Sequence, residues 1–214
     1  MLTSRHRNIG MTLLLSNQVS FFTIATHAIS HRAHHLPPAT MTESAALILT
    51  TAKLGEVADF ALNNSTENRL AALRLISQAQ RHIHLFSRDL DPRALDDVEV
   101  TDALSALARR HRSSHIRLLV ADVGPAQRQG HRWLELIQRL SSKIDVRITH
   151  EDHLHHPFCF LVADQAGLLY RSNAAEYTGE VHFYAPLPCL EKLKLFDEVW
   201  QISRPASELR RLYI

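Results

Sequence analysis

The sequence predicts an α/β fold in which helices flank a mixed, mostly parallel sheet, and three observations carry that expectation. Apolar stripes at helical spacing alternate with short apolar runs, the pattern of helices laid over a sheet. The runs stop at turn residues: 81–87 alternates and then meets Arg88-Asp-Leu-Asp-Pro92, and 116–121 stops at Asp122. Two further runs, 158–163 and 168–170, are separated only by the turn at 164–167, which reads as one antiparallel hairpin of a buried sheet.

Length and composition bound the answer. The 214 residues suffice for one domain with a substantial core and some extra length. Hydrophobic content of 45% against 21% charged is the balance of an ordinary globular protein. Net charge is +2 with acids and bases interleaved, so no basic field points to nucleic acid. Cys159 and Cys189 make neither a disulfide framework nor a CxxC pair, which fits a reducing compartment, the cytoplasm. There are fifteen histidines, but five precede Met41, so the count overstates any single site.

In chain order, Arg5, His6 and Arg7 precede a moderately apolar stretch, 11–28, in the manner of a signal peptide. Asn17 and Gln18 interrupt it, and it is too polar for a membrane span. Residues 1–40 are expected to be a disordered, weakly signal-like or mis-called extension, with 41–214 forming a single domain. Between 41 and 64 the pattern is ambiguous: 45–51 fits a strand and 54–62 a short helix. Ser65 or Thr66 then caps a helix with Leu70, Leu73, Ile76 and Ala79 inward. After the 81–87 strand, a helix is expected over 98–111, a buried strand over 116–121 and a helix over 125–141. A strand at 144–149, a histidine-rich loop and the hairpin follow. A last helix starts near Pro188 with Leu190, Leu193, Phe196, Val199 and Trp200 inward, and Ser207 caps a final turn.

Residues 157–173 read PFCFLVADQAGLLYRSN. This frame resembles the phospholipase D superfamily, where a strand carries HxKxxxxD and a Gly-Ser follows seven residues after the Asp. Aligned on Asp164, the His position falls on Pro157, the Lys position on Cys159, and the Gly-Ser on Arg171 and Ser172. The lead-in elements are similar too, so the resemblance covers 67–203. It implies a phospholipase D-like domain with a single degenerate motif, lacking the histidine nucleophile and the cationic phosphate clamp. Family enzymes need both, in two copies. The reading that follows is a non-catalytic, cytoplasmic module of bacterial style that binds a ligand or a partner. The resemblance also implies a homodimer, since single halves pair with their own copies. It further implies a partner enzyme, as an accessory to a GNAT-type acetyltransferase.

Two constellations hold the candidate residues. The loop 150–156 offers His150, His153 and His155 beside carboxylates, a set that suits a divalent ion and would serve a divergent phosphodiesterase or metal-dependent hydrolase. It lies on no HExxH frame and lacks a cysteine pair, so its plainer reading is a solvated loop. The second follows from the rule that open α/β sheets work at the carboxyl ends of their strands. Those ends carry Arg88, Asp89 and Asp122, with His131 and Arg132 nearby and Asp164 and Ser172 from the motif. Such a rim would bind a phosphate or carboxylate through forked arginine donors. Gln127-Arg-Gln-Gly-His-Arg132 departs from an acetyltransferase pyrophosphate loop at Arg132. No GxGxxG, Walker or GxSxG motif is present, so no cofactor is expected.

Overall fold

The computed structural model describes residues 48–209; the expectation for 1–40 lies outside the described residues. Eight strands form one sheet: β1 (Asp59–Leu62), β2 (His82–Ser87), β3 (His115–Val120), β4 (Ile144–Ile148), β5 (Cys159–Ala163), β6 (Gly167–Arg171), β7 (Gly179–His182) and β8 (Arg204–Pro205). Their order is β1-β7-β6-β5-β2-β3-β4-β8. Only β2–β3 and β3–β4 run parallel; the other five pairings are antiparallel. The fold is α/β with a mixed sheet, but the sheet is mostly antiparallel, which corrects the expectation of a mostly parallel one. The reason is local. Helical crossovers link β2, β3 and β4, whereas β5, β6 and β7 follow one another through short loops, and short links leave only antiparallel neighbours.

Residues 48–51 are helical and 59–62 are strand β1, the reverse of the strand and helix expected there. Further helices are α1 (Ser65–Gln78), α2 (Pro92–Leu95), α3 (Val98–Arg110), α4 (Gly124–Gln129), α5 (Arg132–Arg139) and α6 (Pro186–Ile202). Asn64, rather than Ser65 or Thr66, caps α1: its Oδ1 accepts from the Glu67 N–H at 2.9 Å, and Glu67 Oε2 accepts from the Asn63 N–H at 2.7 Å. The single helix expected over 125–141 is two. Gly130 ends α4 at φ 67°, a left-handed turn that glycine adopts without a Cβ clash.

Strand alternation sorts the core onto two faces. Leu85, Leu118 and Leu161 face α1, α3 and α5, where Leu75, Leu104 and Trp133 are buried. Phe86, Leu119 and Phe160 face α6 and pack on Leu193, Phe196 and Trp200. His84 lies on the α6 side, 7% exposed, and its Nε2 accepts from Arg117 Nη2 at 2.7 Å. Arg117 in turn lies over the Phe196 and Trp200 rings, 5.3 Å from each centroid, and pairs with Asp197 at 2.9 Å.

The hairpin turn is bound to the start of β2. Asp164 and Gln165 both adopt left-handed backbone, at φ 48° and 61°, which matches the twist of a tight hairpin. The Asp164 carboxylate accepts from three successive backbone N–H groups, those of Gln80, Arg81 (2.9 Å) and His82 (2.7 Å).

Two outcomes are expected. Asp164→Ala removes all three acceptors and lowers stability by about 2 kcal/mol in urea denaturation, with Asp164→Asn intermediate. Burial first, then Arg117, pushes the His84 pKa from 6.5 down to about 3. The unfolded chain therefore binds a proton that the folded chain refuses, so this contribution is full above pH 6.5 and is lost as pH falls toward 3. His84→Gln, which still accepts from Arg117, flattens the decline in melting temperature below pH 6.5; a variant with an unchanged slope would contradict this.

Candidate functional site

The chain leaving β2 bends sharply at the carboxyl-end rim of the parallel strands. Ser87 Oγ accepts from the Leu90 N–H at 3.2 Å. Leu90 sits at φ 61°, a left-handed conformation that costs a non-glycine residue of order 1–3 kcal/mol. Burial and His131 hold it there. Leu90 is fully buried, and His131 Nε2 donates to its carbonyl at 2.9 Å. His131 Nδ1 accepts from the Trp133 N–H at 3.2 Å, and Trp133 Nε1 donates to the Leu95 carbonyl at 2.9 Å. Burial lowers the His131 pKa, which keeps the ring neutral with its proton on Nε2.

The bend turns Asp91 inward. Its Oδ1 accepts from the Arg93 N–H at 3.2 Å and the Tyr177 hydroxyl at 3.1 Å. Its Oδ2 lies 2.8 Å from Arg171 Nη2. Arg171 ends β6 opposite Cys159 on β5, and both residues are buried. Arg171 Nε donates to Cys159 Sγ at 3.0 Å, and its guanidinium lies 5.2 Å from the Tyr177 ring centroid. Burial pushes the Cys159 thiol up against the smaller, opposing pull of Arg171, so the cysteine is a neutral thiol. Asn68 on α1 completes the group, its Nδ2 donating to the carbonyls of Asn64 (2.9 Å) and Tyr177 (2.8 Å). Beside these side chains lies a cavity of about 30 Å³, touched by Asn68, Ser87, Cys159 and Arg171. That is room for one water molecule and far too little for a substrate. Asn68 Oδ1 and Arg171 Nη1 are buried without a hydrogen-bond partner among the described residues.

The residues expected at the rim are dispersed. Arg88, Asp89 and Asp122 do share it, because the Asp122 N–H donates to the Arg88 carbonyl at 2.8 Å. Their side chains serve local turns: Arg88 pairs with Asp89 at 3.4 Å, Asp89 Oδ1 accepts from the Asp91 N–H at 3.3 Å, and Asp122 Oδ1 accepts from the Gly124 N–H at 2.8 Å. His131 is behind the rim as the strut of Leu90. Arg132 is held by Asp96, at 3.3 Å from Nη1. Ser172 is exposed beside Arg171, and Asp164 is at the opposite end of the sheet.

The histidine loop is on the α6 side of the sheet, away from Arg171. His150 Nδ1 accepts from the Asp152 N–H at 3.3 Å, capping its own short turn. His153 Nδ1 and His156 Nε2 are 3.2 Å apart, and the His155 ring centroid is 4.3 Å from that of His156. His156 stacks on Phe158 at 4.7 Å; burial, then His155 and His153, lower its pKa. Among the described residues no three His, Cys, Asp or Glu side chains are grouped to hold a metal ion.

The sequence reading missed Asn68, Asp91, Arg171 and Tyr177 as a cluster. Hairpin register was the available signal: a turn centred on 165 sets 159 opposite 171, and alternation from Leu161 turns both inward.

The family described as "Domain of unknown function (DUF7931)" matches residues 64–212. The chain belongs to that family. No curated protein matches it. Among solved structures it is similar to Nuc from Salmonella typhimurium, a phospholipase D family member, at 17% identity and TM-score 0.54, over 70% of this chain and 98% of that one. It is also similar to TrmBL2, an archaeal chromatin protein, at 12% identity and TM-score 0.53, over 76% of this chain and 58% of that one. At these identities the likeness is one of fold: this DUF7931 domain has the fold of a phospholipase D family member. Among the described residues no helix is long and apolar enough to cross a membrane.

Breaking the buried pair by Arg171→Met leaves Asp91 uncompensated and is expected to lower stability by about 3–5 kcal/mol. Asp91→Asn combined with Arg171→Met recovers a large part of that loss. A urea-denaturation double-mutant cycle checks this, and additive effects would show that the two residues are not coupled.

Proposed function

We propose that this domain is a non-catalytic member of the phospholipase D fold that works by binding rather than by phosphodiester chemistry. One observation carries the reading. At the position where the resemblance calls for the phosphate-binding lysine stands Cys159, a neutral thiol bound by Arg171, whose charge is matched inside the protein by Asp91. Arg171 itself stands where the motif has its small glycine. Pro157 takes the nucleophile position and offers no group that attacks phosphorus. The adjoining cavity of about 30 Å³ agrees, being too small for a phosphodiester.

The exposed face left for binding is the rim of Arg88, Asp89, Asp122 and Ser172. A second copy of the chain and a partner enzyme, an acetyltransferase among them, are the occupants this reading favours.

The test is hydrolysis of bis(p-nitrophenyl) phosphate by the full chain, with and without added divalent metal. No turnover above the blank is expected. Pro157→His with Cys159→Lys is expected to stay inactive and to melt lower than the parent, because the new ammonium is buried against Arg171. Wild-type turnover that disappears in His155→Ala or His156→Ala would overturn the proposal and install the divergent-hydrolase reading of the histidine loop.

A further inference from the structure

On the α6 side of the sheet a cleft of about 390 Å³ opens between β2, β3 and the first half of α6. His84 and Arg117 form its floor, Leu187, Leu190 and Leu193 line its wall, and Lys194 and Asp197, the latter paired with Arg117, stand beside them. Its size is within the usual range for small-molecule sites, roughly 300–1,000 Å³.

Two features define what would fit. The wall is aliphatic and open, with Leu187 73% and Leu190 50% exposed. The cations differ in commitment. Arg117 is engaged by Asp197 at 2.9 Å and His84 at 2.7 Å, whereas Lys194 has no partner among the described residues. A second cleft, of about 260 Å³ on the far side of Arg117, shows the contrast. There His115 pairs with Asp145 at 3.0 Å, and Arg147 donates to the carbonyls of Trp200 and Ser203, so its charges are satisfied internally.

We propose that the His84–Lys194 cleft binds a small aliphatic carboxylate, its tail along Leu187, Leu190 and Leu193 and its carboxylate at Lys194. The site stands apart from the Arg171 cluster, which is on the other face of the sheet, and goes beyond the non-catalytic reading above.

Titrating the full chain with octanoate by calorimetry tests this. Saturable binding with a Kd below about 10 mM is expected, with octan-1-ol and acetate each at least about fivefold weaker. Lys194→Gln weakens octanoate about fivefold, and Leu190→Asp weakens it more than about tenfold. Both residues are exposed, so both variants keep the parent melting temperature. Absence of saturation, octanol binding as tightly as octanoate, or undiminished affinity in both variants would overturn the proposal. None of these results bears on the phosphodiesterase assay, so the two readings fail separately.

Discussion

A guanidinium placed in a protein interior must be neutralised where it lies, and Arg171 sets that condition for one end of the sheet. Its partner cannot come from its own hairpin, where the facing residue is Cys159. The carboxylate comes instead from Asp91, in the loop after β2, and reaches inward only because Leu90 takes a left-handed backbone. That conformation persists because His131 reaches across to the Leu90 carbonyl. Helix α5 and the loop leading into it are thereby tied to the buried Arg171–Asp91 pair. Tyr177 and Asn68 extend the same set of contacts to the loop before β7.

The two faces of the sheet solve the problem of buried polarity differently. On the α1 face, the Arg171 and Asp91 charges are enclosed and matched to each other. On the α6 face, Arg117 and Arg147 stay near the margin and lie over the rings of Phe196 and Trp200. The aromatic bodies fill the layer while the guanidinium edges find Asp197 or backbone carbonyls. A small cavity of about 30 Å³ on one side and larger clefts on the other accompany that division.

Much of the fold was legible because it rests on short-range pattern. The stripes of α1, α3 and α6, the strands β2 to β4 and the hairpin all announce themselves in apolar spacing and turn residues. Strand direction did not, because direction depends on which connections are helical; β7, with the short sequence GEVH, gave no apolar run to read. The site was legible only in part. Arg88, Asp89 and Asp122 come to one rim, as chain-end geometry implies. His131 read as a rim ligand because a histidine beside an arginine resembles a surface pair, yet it is buried and structural. Arg171 and Asp91 were passed over for the opposite reason: charged residues at turn and strand ends are usually solvated, and only the register of the hairpin reveals that one of them points inward.

The last strand has a consequence for how copies of this domain can meet. β8 closes one edge of the sheet with only two residues, and the second, Pro205, has no N–H to offer. A neighbouring chain laid along that edge would find no ladder to extend, so growth into a continuous intermolecular sheet is blocked there. Assembly at that end would have to proceed through side chains, which are selective, rather than through backbone, which is not.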